Sequence, residues 1–305
     1  MKAKHLGLAL TVVVCWSLSF VAVKLGLRDM PPLALSAARM MLTSLPWVFM
    51  LPRPPVPLHR LALYGIFTFT LYLGLLAIAI HLGAPAGLAS VMMQLHIFVT
   101  AVLAALFLSE RLTPYQIIGA LISFGGLGFV ALHAIPGSKD GLSVLSLFLL
   151  LLAATARGTA NIISKRLGNV DTISLIAWGS LFAWPPLLLA SLALEGPQLV
   201  WHSVLTISLE GAGSLLFMAY LGTFLAFALW SKLLYLYPTH QVTPFTLLVP
   251  ALTILLSALI LDEPLLPWKL GATALILAGA VVALFGRQIA QCFKKGLHDP
   301  RRSGS

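Results

Sequence analysis

The sequence predicts an all-α integral membrane protein made of two related halves, and three observations carry that prediction. The chain is 59% hydrophobic and only 9% charged over 305 residues, with a mean hydropathy of +0.99, whereas a soluble domain is roughly a quarter charged. So little polar surface cannot cover a globule, which makes lipid the solvent for most of the chain. Apolar runs recur at the length needed to cross a bilayer, about 20 residues. One stretch is also written twice: PAGLASVMMQLHIFVTAVLAALFLSERLTP (Pro85–Pro114) aligns without a gap on PTHQVTPFTLLVPALTILLSALILDEPLLP (Pro238–Pro267). Pro85 falls on Pro238, Thr100 on Thr253, Glu110 on Glu263 and Pro114 on Pro267, the signature of an internal repeat.

Taken in order, the apolar runs predict ten transmembrane helices, near Leu6–Leu25, Leu33–Leu51, Leu61–Ile80, Pro85–Leu108, Pro114–Leu132, Leu142–Ser164, Ile173–Leu194, Ala212–Leu234, Thr239–Leu261 and Pro267–Phe285. The first run follows Lys2 and Lys4 but precedes no small-x-small cleavage site, so it is read as a retained span and not as a signal peptide. Lys and Arg placement sets the orientation. With the N-terminus inside, the inner segments hold Lys2, Lys4, Arg53, Arg60, Arg111, Lys165, Arg166, Arg287, Lys294, Lys295, Arg301 and Arg302. The outer segments hold only Lys24, Arg28, Lys139 and Lys269, which places both termini in the cytoplasm. Five spans per half is an odd number, so the second half crosses in the opposite sense and the repeats are inverted. The expected organisation is a first five-helix repeat at residues 1–135, a second at 141–287 and a basic cytoplasmic tail at 288–305, joined by the turn-rich linker His133–Ser143.

Several functions are unsupported. The net charge of +10 comes from basic residues scattered singly at the ends of apolar runs, which is the pattern of membrane flanks and gives no nucleic-acid surface. Cys15 and Cys292 have neither metal-ligand spacing nor a plausible disulfide geometry. No GxxxxGK[ST], HExxH or GxSxG occurs, so no ATP engine, metal, cofactor or catalytic residue is expected, and the protein is read as no enzyme. Small-residue faces at Gly119, Ser123, Gly125, Gly126 and Gly128, and at Gly271, Ala274, Ala278 and Gly279, suit close helix packing within one chain or across a homodimer.

Polar groups inside spans are costly and are the default functional candidates. Arg39 lies in the second span and Arg157 in the sixth, both deep enough to line a cavity. Aligning Lys24 with Lys165 sets Trp16 opposite Arg157 and Phe20 opposite Asn161; aligning Pro46 with Pro185 sets Arg39 opposite Trp178. Each half thus offers one Trp and one Arg, swapped between its first two helices, and the four are expected to surround a central cavity suited to a zwitterion carrying a carboxylate. Ordinary packing is the competing role for the two tryptophans. The fourth span adds Gln94 and His96, the latter a candidate for proton coupling. The ninth adds Gln241, Thr243 and the helix-distorting Pro244 and Pro250. Glu110 and Glu263 fall at helix ends, where they are expected to favour the dipoles of the helices beginning at Pro114 and Pro267.

Ten spans in two halves, each closing as apolar-L-x-E before a Pro-started helix (FLSERLTP, ILDEPLLP), resemble the EamA-type branch of the drug/metabolite transporter superfamily. VVVCWSLSFVAVKLGLRDMPPLALSAARMML and GAPAGLASVMMQ are similar to its bacterial amino-acid metabolite exporters. The resemblance implies secondary-active export of small metabolites such as cysteine or O-acetylserine across a bacterial inner membrane, with lipid and a small-molecule substrate as partners. Trp16, Arg39, Asn161 and Lys165 match the family's pattern, and Arg157 departs from it by standing where the family is similar to a Trp. A broader drug or nucleotide-sugar carrier is the alternative on the same fold; a membrane scaffold or an intramembrane enzyme is the alternative from another class. The first span carries no Glu of the kind on which the superfamily's small multidrug carriers look to depend.

Overall fold

Away from water a chain satisfies its backbone N–H and C=O groups only as a helix or a closed barrel, and the long Leu- and Ala-rich runs here take the helical solution. The computed structural model describes residues 3–133, 143–168, 170–237 and 239–297; most of the linker between the halves, Pro238 and the end of the basic tail lie outside the described residues. The first half holds α1 (Ala3–Gly26), α2 (Pro32–Val48), α3 (Leu58–Gly65), α4 (Tyr72–His81), α5 (Ala86–Met93), α6 (His96–Leu108) and α7 (Pro114–His133). The second holds α8 (Val144–Leu167), α9 (Thr172–Leu194), α10 (Pro197–Leu205), α11 (Leu209–Leu216), α12 (Ala226–Leu236), α13 (Thr239–Val242), α14 (Leu248–Leu261) and α15 (Pro267–Leu297).

Among the described residues, nine helices are long and apolar enough to cross a membrane. They coincide with every predicted span except the second, where α2 has only 17 residues. Pro31 and Pro32 fix its start, Pro46 lies near its end, and the proline-rich stretch PRPPVP follows.

Four of the predicted crossings are not regular α-helices. π-helical turns join α3 to α4 at Ile66–Leu71 and α11 to α12 at Phe217–Leu225. The crossing Pro85–Leu108 is broken at Gln94 and Leu95, between α5 and α6. The crossing Thr239–Leu261 is broken by a 3-10 stretch at Thr243–Leu247. The irregular crossings are the third, fourth, eighth and ninth, the same two in each half. Correspondence extends to single dihedrals: Ser109 (φ 56°) and Asp262 (φ 53°), 153 positions apart by subtraction, are the two non-glycine residues with positive φ among those described. Each follows its helix in the left-handed conformation that closes a C-terminus. The next amides match as well, Glu110 N–H donating to the Ala104 carbonyl and Glu263 N–H to the Ser257 carbonyl, both at 3.3 Å.

The main packing joins one half to the other. α2 lies on α9 and α7 on α15, pairing equivalent helices; α1 packs on α14 and α12, while α8 packs on α6 and α4. Small residues let these helices approach closely. A Cβ on Gly119 would stand 2.8 Å from the Ala283 amide nitrogen, and one on Gly126 2.8 Å from Ile276 Cγ1. Ser123 Oγ donates to the Ile276 carbonyl at 3.0 Å in the same seam. Gly125 and Gly128 point away from it, with open space where a Cβ would sit.

One end of the bundle is tied by carboxylates. Glu263 accepts from Lys24 Nζ at 2.6 Å and from the Ala86 and Gly87 amides at 2.9 and 3.3 Å. It therefore caps α5 and not, as expected, the helix beginning at Pro267. Glu195 does the same for α2, accepting from the Leu33 and Ala34 amides at 2.7 and 3.1 Å. Both satisfy helix N-terminal donors that have no intrahelical partner. Burial pushes the Glu263 carboxyl up, but the Lys24 hydrogen bond, the two amides and the Lys24 charge outweigh it and hold the group below the usual carboxylate range.

Two predictions follow from this packing and this knot. Gly119→Val should destabilise the protein by about 1–3 kcal/mol through overpacking, while Gly125→Val should leave it unchanged; apparent melting temperatures in detergent separate the two. Because its folded-state value is depressed, ionised Glu263 stabilises the fold above the unfolded carboxylate value of about 4.3, and that contribution is lost as pH falls through the lowered value. Glu263→Gln should lower the melting temperature at pH 7 and flatten its fall between pH 5 and 3, both read from a pH series of melting curves.

Candidate functional site

The irregular crossings meet around a cavity of about 550 Å³, within the range of small-molecule sites. Trp16, Phe20, Arg39, Gln94, His96, Arg157, Asn161 and Thr243, eight of the ten residues singled out from the sequence, line it. Trp178 and Gln241 do not. The Trp178 indole packs into the seam around α9, its Nε1 donating to the Leu51 carbonyl at 3.3 Å beyond the end of α2. Gln241 sits exposed in the short α13, outside the lining. The swapped Trp/Arg pattern thus delivers three of its four members; Trp178 packs instead against the apolar cluster shared by α2, α3 and α9.

Each break in the backbone has a side-chain partner. Pro250 has no N–H, so the Thr246 carbonyl four residues earlier is left without its helical donor. Gln94 Nε2 donates to that carbonyl at 3.4 Å, linking the break of one half to the break of the other. His96 Nδ1 hydrogen-bonds the Met93 carbonyl at 2.6 Å, which requires a proton on Nδ1 and turns Nε2 away from that contact. Asn161 Nδ2 donates to Thr100 Oγ1 at 3.1 Å, and Thr100 Oγ1 donates to the His96 carbonyl at 2.7 Å. Ser17 Oγ donates to the Val249 carbonyl at 3.0 Å and ties α1 to the start of α14.

The π turns bring in residues that sequence reasoning missed. Thr223 Oγ1 donates to the Met218 carbonyl five residues back, at 2.9 Å, a reach that suits the wider π turn. It also accepts from Arg39 Nη2 at 3.0 Å, so the π turn of the second half seats the arginine of the first. Arg39 is 8% exposed, and its buried Nε has no partner among the described residues. Arg157 lies between aromatic rings, its Cζ 5.6 Å from the Tyr72 centroid and 5.8 Å from that of Phe227. Trp16 continues this wall, 5.5 Å from Phe227 and 5.2 Å from Trp230 between ring centroids. A signal for the missed residues exists: Thr68-Phe69-x-x-Tyr72 recurs as Thr223-Phe224-x-x-Phe227. Its offset is about 155 positions, two more than the longer repeat, so a single ungapped comparison passes over it.

The cavity is one-sided. At one end its lining runs out to Glu110, Gln116 and Lys165. Lys165 Nζ is paired there with Glu110, and both side chains are about half exposed, at 57% and 50%. At the other end the lining stops at the buried Phe20, Val23 and Leu76, short of the Lys24–Glu263 knot. The two ion pairs are counterparts, since Lys24 aligns with Lys165 and Glu263 with Glu110. Each connects one half to the other. Among the described residues no group of three or more His, Cys, Asp and Glu side chains could hold a metal ion.

Comparison with known proteins agrees with this architecture. The model of the EamA-like transporter family matches residues 4–132 and 144–285. A protein of Escherichia coli (strain K12) named "Probable amino-acid metabolite efflux pump" is 35% identical over 300 residues, covering 97% of this chain and all of its own. Its namesake in Salmonella typhimurium (strain LT2) is 37% identical over 295 residues, 95% and 97% of the two chains. A "Probable terminal-alkyne amino-acid exporter" of Streptantibioticus cattleyicolor is 27% identical over 90% of this chain and 91% of that one. A solved crystal structure superposes with a TM-score of 0.61 at 19% identity, covering 95% of this chain and 99% of that one, and shares the fold. With both halves matched and the whole length shared with two relatives above 30% identity, the chain belongs to the EamA-like transporter family.

Proposed function

We propose that the protein is a secondary-active exporter of amino acids or closely related small metabolites in a bacterial inner membrane, working by alternating access of two inverted halves. In this reading α2 is a short tenth span, residues 1–135 and 141–287 are the two repeats, and residues 288–305 form a cytoplasmic tail. Both termini are cytoplasmic, on the side of Lys165, Arg166 and the other inner-segment cations. The names of the two full-length relatives support the substrate class.

The observation that carries the reading is the cavity itself, built where discontinuous helices of both halves meet and closed at one end only. Such sites near the middle of inverted repeats fit transporters that rock about a fixed binding point. The open end then faces the cytoplasm, and a metabolite enters past Glu110 and Lys165. Its carboxylate meets guanidinium groups in a water-poor site, where charge-assisted hydrogen bonds are strong. Rocking exchanges the roles of the two ion pairs. Lys24 and Glu263 part, α5 loses its cap, and the outer end opens, while Lys165 and Glu110 become buried as their counterparts are now.

Two experiments test this. Purified protein in liposomes should exchange labelled amino acids or their close derivatives in counterflow; no exchange with any of them would overturn the reading. A Lys24→Cys/Glu263→Cys pair, with Cys15 and Cys292 replaced by Ala, should block exchange when oxidised and recover when reduced. Full exchange by the oxidised, cross-linked protein would remove alternating access at this end.

A further inference from the structure

The charges and hydrogen-bond donors of the cavity are out of balance, and the imbalance says what kind of molecule fits. Two guanidinium groups, Arg39 and Arg157, line it, and neither forms an ion pair among the described residues. The one carboxylate in the lining, Glu110, stands at the mouth and already pairs with Lys165. Arg39 keeps a buried Nε donor without an acceptor among the described residues.

A zwitterion would bring an ammonium as well as a carboxylate, and an ammonium needs either a negative charge, a carbonyl or an aromatic face. Among the described residues the lining has no carboxylate free of a cation, and the carbonyls at the breaks and the rings nearest Arg157 are already engaged. The carbonyls of Met93, His96 and Thr246 around the breaks already hold side-chain donors. The faces of Tyr72 and Phe227 are covered by the Arg157 guanidinium itself. An ammonium placed near them would also be repelled by that guanidinium, and a site of low dielectric magnifies the repulsion.

We infer that the cavity selects carboxylates without a free ammonium group, the chemistry of an amino acid whose nitrogen is acylated, over the parent zwitterions. The inference rests on the cavity being the substrate site of the exporter proposed above, and it narrows the substrate of that site to a net-negative metabolite. Arg39 fixes the carboxylate on the Thr223 side. Arg157 sets the preference for net negative charge, and its aromatic box suits an apolar body attached to that carboxylate.

The test compares alanine with N-acetylalanine, which share a carboxylate and a side chain and differ in the ammonium. Binding to the detergent-purified protein is read by the fluorescence of the tryptophans beside the cavity, and exchange is read separately by counterflow in liposomes. The expected result is at least tenfold tighter binding and faster exchange of N-acetylalanine, a preference kept by Arg157→Lys and lost in Arg157→Gln. Equal or tighter binding of alanine, or binding of neither, would overturn the inference. A preference for N-acetylalanine that survives in Arg157→Gln would overturn the role given to Arg157. Selective binding of N-acetylalanine without any exchange would uphold the inference about the site and instead count against the transport reading, so the two failures are distinguishable.

Discussion

Everything irregular in this protein is governed by one constraint: a backbone polar group inside a bilayer has no water to turn to. A regular helix meets that constraint alone, so a departure from regularity is stable only where another side chain completes the bonding. The departures here, two π turns and two helix breaks, all face the same cavity; the π turns keep their own i to i+5 bonds, and both breaks and the π turn of the second half also draw on side chains. Gln94 answers the carbonyl released by Pro250, Thr223 reaches across its π turn, and His96 and Thr100 take the carbonyls at the break of the first half. The polar side chains that make the cavity chemically distinctive are therefore also the ones that allow the backbone around it to be irregular. This couples architecture to site, since removing one of them changes both.

The constraint also explains what could be read from the sequence. Helical class and nearly every crossing were legible, because about 20 apolar residues leave a chain in lipid no other regular structure of that length. The second crossing was drawn to Leu51, but prolines on both sides cut α2 to 17 residues. Polar residues inside spans were legible as candidates since their cost needs a reason, and six of the seven line the cavity. Direction along a helix was not legible. Trp178 and Arg39 align as counterparts, yet the indole packs against the apolar cluster shared by α2, α3 and α9 and reaches Leu51 beyond the end of α2. The π turns escaped for a different reason. Their residues are threonine and aromatics, which cost little in an apolar run, and a π turn slips the register between the two copies of the repeat by a small number of positions. Glu263 was read as serving the helix that follows it, whereas the three-dimensional fold presents it to α5 from the other half.

Equivalent ion pairs in unequal surroundings are informative about state. Lys24–Glu263 and Lys165–Glu110 are the same chemical pair contributed reciprocally by the halves, but Glu263 is 9% exposed in its side chain while Glu110 is 50% exposed. An exposed pair is worth at most about 1 kcal/mol. A buried one that also caps a helix is costly to break, since parting it leaves a carboxylate and two amides unanswered. Sequence alone makes the ends of the molecule equal, so the inequality comes from the arrangement of the halves. The reversal of that arrangement proposed above would exchange one Lys–Glu pair for its counterpart, which would keep the difference between the end states small. Two conformations close in free energy are what a carrier needs if substrate binding is to shift the balance between them.

The same reasoning bears on Arg157. A guanidinium in a low-dielectric site is tolerated only when something compensates its lost hydration. Tyr72 and Phe227 do so in part, since a cation held between aromatic faces recovers about 0.5–2 kcal/mol, far below the cost of stripping a bare charge of water. The remainder must come from water in the open cavity or from an anion. In the alternating access proposed above, closing the open end would remove that water, so an empty carrier would have a costly path between its two states and one loaded with an anion would not. An arginine in this position would therefore do more than recognise the carboxylate of the proposed substrate. On that reading, occupancy by an anion would be a condition for movement, tying the turnover of the halves to the presence of cargo.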